Sequence, residues 1–504
     1  MDILLQGASE LFTLKVFLFI NVGLLIGIIF GSIPGLTVDL GIALFTPLTF
    51  VLDPTSAILM LLGIYCGGTY GGSITAILVK TPGTPSSVAT ILDGHPLAKQ
   101  GKARKALDMA LIASTIGGLI SALVLLTTAP QIAKFTLNFG PAEYFTLAIF
   151  GLTVIAGVSG DNIIKGIIAG CLGVFVSTIG MDASSAVPRF TFGDYRLLNG
   201  VPLLIGLVGL FIVAELFIKT NENANAGGES DKESQAKLNN EGLSWSEFKQ
   251  TLSTIFRSGL IGTIIGAIPG TGGGIAAFIS YDQAKKRSKN GETFGSGELK
   301  GIAAPEAGNN GTTGATLIPL LTLGIPGDAA TAILLGSLMI HGLLPGPSLF
   351  TDYGHIMYAI MLGLIFINIF MFLQGKILVK WFAKVAKVPY VLLVPIIAVC
   401  SVAGAFSVNN TVFDIYLILF FGIIGYIMYK MRFSPIPMLL GLVLGPIAEK
   451  NFRNAMVISD GSYLIFVTKP ICIFFVVLTL MSVVMFMAKK GKSNQKTDNS
   501  INLT

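Results

Sequence analysis

The sequence predicts an all-α polytopic membrane protein made of two structural repeats, each with discontinuous helices or re-entrant hairpins. Three observations carry that prediction. The composition is that of a chain in lipid, long apolar runs recur almost end to end, and two Gly/Pro-broken segments appear twice in the same order.

Of the 504 residues, 53% are hydrophobic and 12% charged, with a mean hydropathy of +0.78. Soluble domains carry roughly 25% charged residues. Apolar runs cover Val16–Ile33, Leu107–Thr127, Tyr144–Ala156, Val201–Ile218, Ile356–Leu373, Ile415–Tyr429 and Tyr463–Ala488. Several reach the ~20 residues that span a bilayer, which predicts roughly ten to fourteen membrane segments. A β-barrel would need apolar and polar residues in alternation, and the runs do not alternate. The first run lacks a small-residue cleavage site and is expected to remain as a membrane helix.

The net charge of +6 resides in short basic loops, Lys99–Lys105, Lys285–Lys289 and Lys376–Lys387, and in a tail, Lys489–Lys492. Short basic loops mark the cytoplasmic side of a membrane protein, so the charge does not point to nucleic acid. The expected organisation is a first membrane half over 1–219, a polar linker over 220–253, a second membrane half over 254–488 and a basic tail over 489–504, with linker and tail cytoplasmic. Cys66, Cys171, Cys400 and Cys472 are far apart and form no metal or redox spacing.

The repeat shows first in "GLLIGIIFGSIPG" (Gly23–Gly35) and "SGLIGTIIGAIPG" (Ser258–Gly270), where Pro34 matches Pro269 at an offset of 269 − 34 = 235. Both carry small residues every fourth position, a pattern that lets helix backbones approach closely in lipid. Both end in Pro-Gly, where a helix kinks or stops. A second pair follows. "KTPGTP" (Lys80–Pro85) matches "LGIPGD" (Leu323–Asp328) at 326 − 82 = 244, and Gly67 matches Gly311 at the same offset. In hydrocarbon, broken backbone persists only where protein or a watered cavity satisfies it. Such paired interruptions point to a transporter binding site, where helix N-termini face an anion and freed carbonyls hold a cation.

The blocks "YCGGTYGGSITAILVKTPGTP", "LDGHPLAKQGKARKAL", Gly27–Gly35, Gly262–Gly274 and "GIAAPEAGNNGTTGATLIPLLTLGIPGDAATAILLGSLMIHGLLPGP" resemble the large membrane subunit of the tripartite tricarboxylate transporters, the TctA family. The likeness in length and segment order covers nearly the whole chain. It implies secondary active uptake of an organic carboxylate across the bacterial inner membrane, driven by Na⁺ or H⁺. It also implies a small TctB-like membrane subunit and a TctC-like extracytoplasmic solute-binding protein as partners. No enzyme activity and no cofactor beyond the coupling ion is expected, and "tricarboxylate" is a family label rather than an identified substrate.

The substrate-binding candidates are Thr81, Pro82, Gly83, Thr84, Pro85 and Ser86 at the first break, and Gly324, Ile325, Pro326 and Gly327 at the second. Asn309 and Asn310 join them as combined donors and acceptors. The candidates for the coupling cation are Pro34, Gly35, Pro269, Gly270 and Thr271, through backbone carbonyls, with Glu306 and Asp328. Asp328 has the competing role of capping the helix that begins at Ala329. Glu306 can bind the cation, carry a proton or mark the edge of a loop, and on a helix it shares a face with Asn310. Asp93-Gly94 reads as a turn or helix end, and His95, His341 and His355 as structural. "PGTGGG" lacks the ending of a nucleotide loop. "GVSG" around Ser159 resembles the serine loop of an intramembrane hydrolase but has no histidine partner in the sequence. A channel is the remaining alternative, and a sliding, elevator-like movement is the expected mechanism.

Overall fold

The computed structural model describes residues 2–33, 36–158, 163–182, 185–225, 241–288, 291–385 and 394–483. Pro34, Gly35, Ser159, most of the polar linker and the basic tail lie outside this set. In chain order the helices are α1 Asp2–Leu11, α2 Leu14–Ser32, α3 Val38–Phe45, α4 Pro54–Val79, α5 Val88–Leu97, α6 Ala103–Thr136, α7 Pro141–Val158, α8 Ile163–Ser177, α9 Leu203–Leu207 and α10 Ala214–Asn225. There follow α11 Trp245–Gly266, α12 Gly272–Arg287, α13 Leu299–Ala315, α14 Leu317–Leu323, α15 Ala329–Ile340, α16 Ser348–Asp352, α17 Gly354–Val385, α18 Val394–Asn409, α19 Val412–Lys430, α20 Ile436–Ile458 and α21 Ile465–Thr468. The strand content among the described residues is one two-residue pairing, Gly180–Met181 with Pro188–Arg189. Among the described residues six helical stretches are long and apolar enough to cross a membrane, and five shorter apolar helices accompany them. The fold is an all-α polytopic membrane protein.

The chain forms two compact units, Met1–Thr136 with Lys219–Thr411, and Leu137–Ile218 with Val412–Thr504. Each therefore draws one block from the first part of the chain and one from the second. In the second unit Gly173 of α8 packs on the Met438 carbonyl of α20. There Arg189 and Arg453 bridge Asp182 and Glu449 in a four-charge network, with N···O distances of 2.7–3.2 Å.

The first unit holds both breaks. Its helices start on ordinary caps: Asp53 accepts the Ser56 amide ahead of Pro54 in α4, and Ser244 with Glu247 forms a capping box on α11. The small-residue faces pack as the sequence predicts. Gly27 lies against the Ile64 carbonyl and Gly262 against the Gly308 carbonyl. The offsets, 262 − 27 = 235 and 308 − 64 = 244, are those read from the sequence. A methyl group at either glycine would overlap the facing backbone, which cannot yield as a side chain would.

Register also gives direction. Gly23, Gly27 and Gly31 meet Met60, Ile64 and Gly68 in turn, so α2 and α4 run parallel. In the second repeat Gly262 and Gly266 meet Gly308 and Thr312, so α11 and α13 run parallel as well. Between repeats the order reverses. Tyr65 Oη is 3.3 Å from Thr316 Oγ1, Cys66 lies beside Thr313 and Ser73 lies beside Glu306. Helices α4 and α13 are antiparallel, and the two repeats are inverted.

The short helices cross between repeats. Thr46, at the end of α3, bonds Ser337 of α15 at 2.7 Å, and Thr49 bonds His341 at 3.1 Å. In the equivalent place Tyr281 of α12 donates to Asp93 of α5 at 2.8 Å. The offsets again agree: 281 − 46 = 235 and 337 − 93 = 244. The helix after the first Pro-Gly tip of each repeat thus holds the helix after the second break of the other. Asp93 Oδ1 also accepts the amides of Gly295, Gly297 and Glu298 at 2.8–2.9 Å, tying the loop before α13 to the end of α5. His95 bonds the Ile77 carbonyl, and His355 meets Glu10.

Candidate functional site

At the first break α4 ends on Lys80 in the left-handed conformation, φ 60°. The chain then doubles back, so that the Gly83 amide reaches the Gly72 carbonyl. Thr84 and Ser87 form a capping box that starts a 3-10 turn over Pro85–Ser87, and α5 follows. Thr81 and Pro85 are exposed, Pro82 and Ser86 half-buried, and Gly83 and Thr84 buried. The Thr84 and Ser86 hydroxyls are 3.1 Å apart.

The second break repeats this turn. Gly324 is left-handed, φ 71°, and Asp328 and Thr331 form the capping box that starts α15. Here Gly324, Ile325, Pro326 and Gly327 are all buried. Asp328 Oδ1 accepts the Thr331 amide at 2.8 Å, so it is a helix cap, while Oδ2 accepts the Tyr65 hydroxyl at 2.6 Å.

The Pro269–Thr271 tip lies between the two. The Gly270 amide donates to the Gly327 carbonyl at 2.9 Å, and Gly272 faces Asp328. One turn on, Gly274 faces the Pro85 carbonyl and Ser86, while Gly273 faces the Asn309 side chain. Thr271 Oγ1 donates to the carbonyls of Ile265 and Ile268, which also accept the Ile268 and Thr271 amides. The structure therefore gathers the first break, the second break, this tip and Asn309 into one cluster. The matching tip, Pro34 and Gly35, lies outside the described residues.

Glu306 and Asn310 share a face of α13, and Asn310 Nδ2 donates to the Glu306 carbonyl at 3.2 Å. Glu306 is not at a loop edge. It is fully buried in mid-helix. Its carboxylate accepts from Thr90 Oγ1 of α5 and from Ser114 Oγ of α6, the latter at 2.8 Å. The Asn309 Nδ2 and Asn310 Oδ1 atoms are buried without a partner, as suits groups that receive a ligand or water. Among the described residues no group of three His, Cys, Asp or Glu is placed to hold a metal ion.

The family model of the tripartite tricarboxylate transporter TctA family matches residues 17–440. The chain belongs to the TctA family. Two curated relatives come from Agrobacterium vitis. An uncharacterized 52.8 kDa protein in the TAR-I ttuC' 3'region is 36% identical over 475 residues, covering 94% of this chain and 93% of that protein. An uncharacterized protein in the TAR-II ttuC' 3'region is 36% identical over 234 residues, 46% of this chain and 97% of that one. No solved structure matches the chain. As a TctA protein it is a component of a tripartite tricarboxylate transport system and works in a membrane.

Sequence reasoning missed Tyr65, Thr90, Ser114 and Thr316. Tyr65 and Ser114 lie inside long helices, far in sequence from Asp328 and Glu306, Thr90 lies in the short α5, and Thr316 stands at the junction of α13 and α14. Aligning the two repeats is the one signal that exposes Thr90, because its counterpart at offset 334 − 90 = 244 is Leu334.

Proposed function

We propose that this TctA chain is the translocating subunit for an organic carboxylate, and that it couples uptake to a Na⁺ or H⁺ gradient in the bacterial inner membrane. It takes substrate from an extracytoplasmic solute-binding protein and works with a small membrane subunit. The observation that carries this reading is the meeting of both breaks around the start of α12, in two repeats of opposite direction.

The chemistry follows from helix ends. The starts of α5, α12 and α15 converge in this cluster, and a helix N-terminus offers unpaired N–H groups and a positive dipole end. At α15 that place is taken by the chain's own carboxylate, Asp328. The turn leading into α5 and the start of α12 carry no such acid, and hydroxyls of Thr84 and Ser86 stand beside them. A substrate carboxylate is therefore best received between the first break and Gly272–Gly274, with Asn309 and Asn310 as amide partners. Pro269–Thr271 and Asp328 face it from the other side and suit the cation. A carboxylate and a cation loaded together need little net charge from the protein. Inverted repeats with broken helices support alternating access by movement of this unit.

The test is uptake in proteoliposomes containing all three components. A panel of citrate, tartrate and succinate should include an acid that accumulates only under an imposed ion gradient. Accumulation that persists after the gradient is collapsed rejects coupling, and rapid equilibration with no accumulation favours a channel. If net charge moves, each elementary charge crossing 100 mV contributes roughly 2.3 kcal/mol. Ser86→Ala and Asn310→Ala should each cut uptake at least tenfold with assembly intact, and normal uptake by both moves the site elsewhere.

A further inference from the structure

Glu306 is fully buried, 0% exposed, in the body of α13. Hydroxyls from three other helices surround its carboxyl group. Thr90 of α5 donates to Oε1, Ser114 of α6 donates to Oε2 at 2.8 Å, and Ser73 of α4 lies beside it. Among the described residues no lysine, arginine or histidine bonds to it.

The other repeat shows what this niche looks like when it serves packing alone. At the offset of 244, Glu306 corresponds to Leu62 (306 − 62), Thr90 to Leu334 (334 − 90) and Ser73 to Leu317 (317 − 73). All three leucines are at most 2% exposed. The equivalent positions are thus buried hydrocarbon in one copy and an acid with two hydroxyls in the other. The fold does not need polarity there, and taking an ionisable acid out of water is unfavourable even where hydroxyls bond it. An intramembrane acid retained against that cost is a functional group.

Its ligand follows from what the niche offers. Sodium sites of this architecture draw on unwound backbone carbonyls, and those are at the breaks. α13 runs as a helix through Glu306, from Leu299 to Ala315, which engages the neighbouring carbonyls except that of Gly301, left without a helical donor by Pro305; one such carbonyl is short of the several that a sodium ion needs. A proton needs only the carboxyl oxygen and a neighbour able to accept. Each hydroxyl both donates and accepts, so Thr90 or Ser114 can turn to receive the acid's O–H with no heavy atom displaced. One O–H bond forms at Glu306 as one breaks in hydronium on the entry side, leaving water, and the reverse occurs on the exit side. Tyr70 Oη and Asn310 Oδ1, within one turn of Ser73 and Glu306 on α4 and α13, are buried without partners and provide bonding positions for water.

The acids on the surrounding helices, and the arginine of α11, have other partners. Asp93 of α5 is held by Tyr281 of α12 and three amides. Asp108 of α6 pairs with Lys376 at 3.0 Å and faces Arg104. Asp328 receives Tyr65 of α4. Asp282 of α12 pairs with Lys286. Arg257 of α11 bonds exposed Ser253, and Glu247 at the start of that helix pairs with Lys105. Thr90 lies four residues past Ser86, which places the proton niche about one helical turn from the substrate candidates of the first break.

We propose that Glu306, held by Thr90 and Ser114, is the coupling-proton site, loading one proton in each cycle. This rests on the transport reading above for the word coupling, but proton binding itself is testable without transport. In infrared difference spectra of the purified complex taken across a pH series, the wild type should show the carbonyl stretch of a buried protonated carboxyl, and Glu306→Gln should lack it. A band unchanged in that variant overturns the proposal. In sodium-free vesicles, an acid-outside gradient should drive accumulation of whichever probe moves, citrate or tartrate, with proton uptake recorded by a pH electrode. Glu306→Gln should lose that accumulation at least tenfold while still exchanging external for internal probe. Accumulation that needs sodium and ignores the pH gradient rejects the proton and leaves the transporter standing. Failure of every probe to move or exchange strikes the transport reading, and the infrared result then decides the site alone. If Glu306→Gln does not assemble, the wild-type proton count and the band in Ser114→Ala, expected to shift in frequency, still decide.

Discussion

At residue 80 the chain turns back through a left-handed lysine, and at residue 324 it makes the same turn with glycine. Four residues later each turn ends in a capping box, Thr84 with Ser87 and Asp328 with Thr331. The backbone is repeated; the chemistry is not. The first break leaves hydroxyls at a half-open edge, whereas the second is sealed and its helix end is filled by its own acid, itself bonded to Tyr65. One copy of the scaffold thus leaves its helix end open beside hydroxyls, and the other closes it with a carboxyl group, which is the asymmetry that the transport reading proposed above draws on.

The shared scaffold is the first thing to break. Gly27→Leu and Gly262→Leu each drive a side chain into facing backbone. Overpacking of ordinary cores costs about 1–3 kcal/mol, and here the obstacle is main chain on both helices. Neither variant should give a monodisperse, folded complex on size-exclusion chromatography. If one does and the other does not, the two helix pairs are not equivalent, and the comparison of the breaks loses its common frame.

The caps come next. Thr84→Ala removes one cap, worth about 1 kcal/mol. Asp328→Ala removes a cap and also the nearer acceptor of the Tyr65 hydroxyl, which keeps Thr316 Oγ1 at 3.3 Å, a further cost of about 1 kcal/mol. Thermal unfolding should therefore rank Asp328→Ala well below Thr84→Ala, with Tyr65→Phe between them. Uptake should rank differently. Thr84→Ala should raise the apparent KM for the carboxylate, and Asp328→Ala should raise the cation concentration needed for half-maximal rate. Equal effects on both quantities would mean that the two breaks do not divide anion from cation.

Much of this was legible before any coordinates, and for a physical reason. Gly and Pro act on the backbone locally, so the breaks at Pro82 and Pro326 and the small-residue faces at Gly27 and Gly262 could be placed from spacing alone. Asp328 as a cap was legible for the same reason, being next to the helix it starts. The direction of the repeats was not, because periodicity is the same whichever way a helix crosses. Nor were the partners of Glu306. Thr90 and Ser114 come from helices 216 and 192 positions away in sequence, and a hydroxyl in an apolar run ordinarily bonds its own helix, as Thr115 does with the Leu111 carbonyl. What identifies them is the leucine in the equivalent niche, which becomes meaningful only once the offset is known to hold in space.

The smallest effect tests the turn itself. A left-handed conformation costs a non-glycine residue about 1–2 kcal/mol, and glycine loses about 0.5–1 kcal/mol more backbone entropy on folding. Lys80 is exposed, so Lys80→Gly removes the first cost without deleting buried packing. The net gain should be about 0.5 kcal/mol, a rise of roughly a degree in the unfolding midpoint for a chain this size. Gly324→Ala should move the midpoint down by a little more, since the same conformation is then imposed on a buried turn. Lys80→Asn separates geometry from charge: asparagine tolerates the left-handed region and carries no charge. If Lys80→Gly stabilises and Lys80→Asn is neutral for uptake, lysine is incidental at the first break. If both variants hold their midpoint but lose uptake, the ammonium group itself meets the carboxylate, and the first break is a charged site rather than a neutral one.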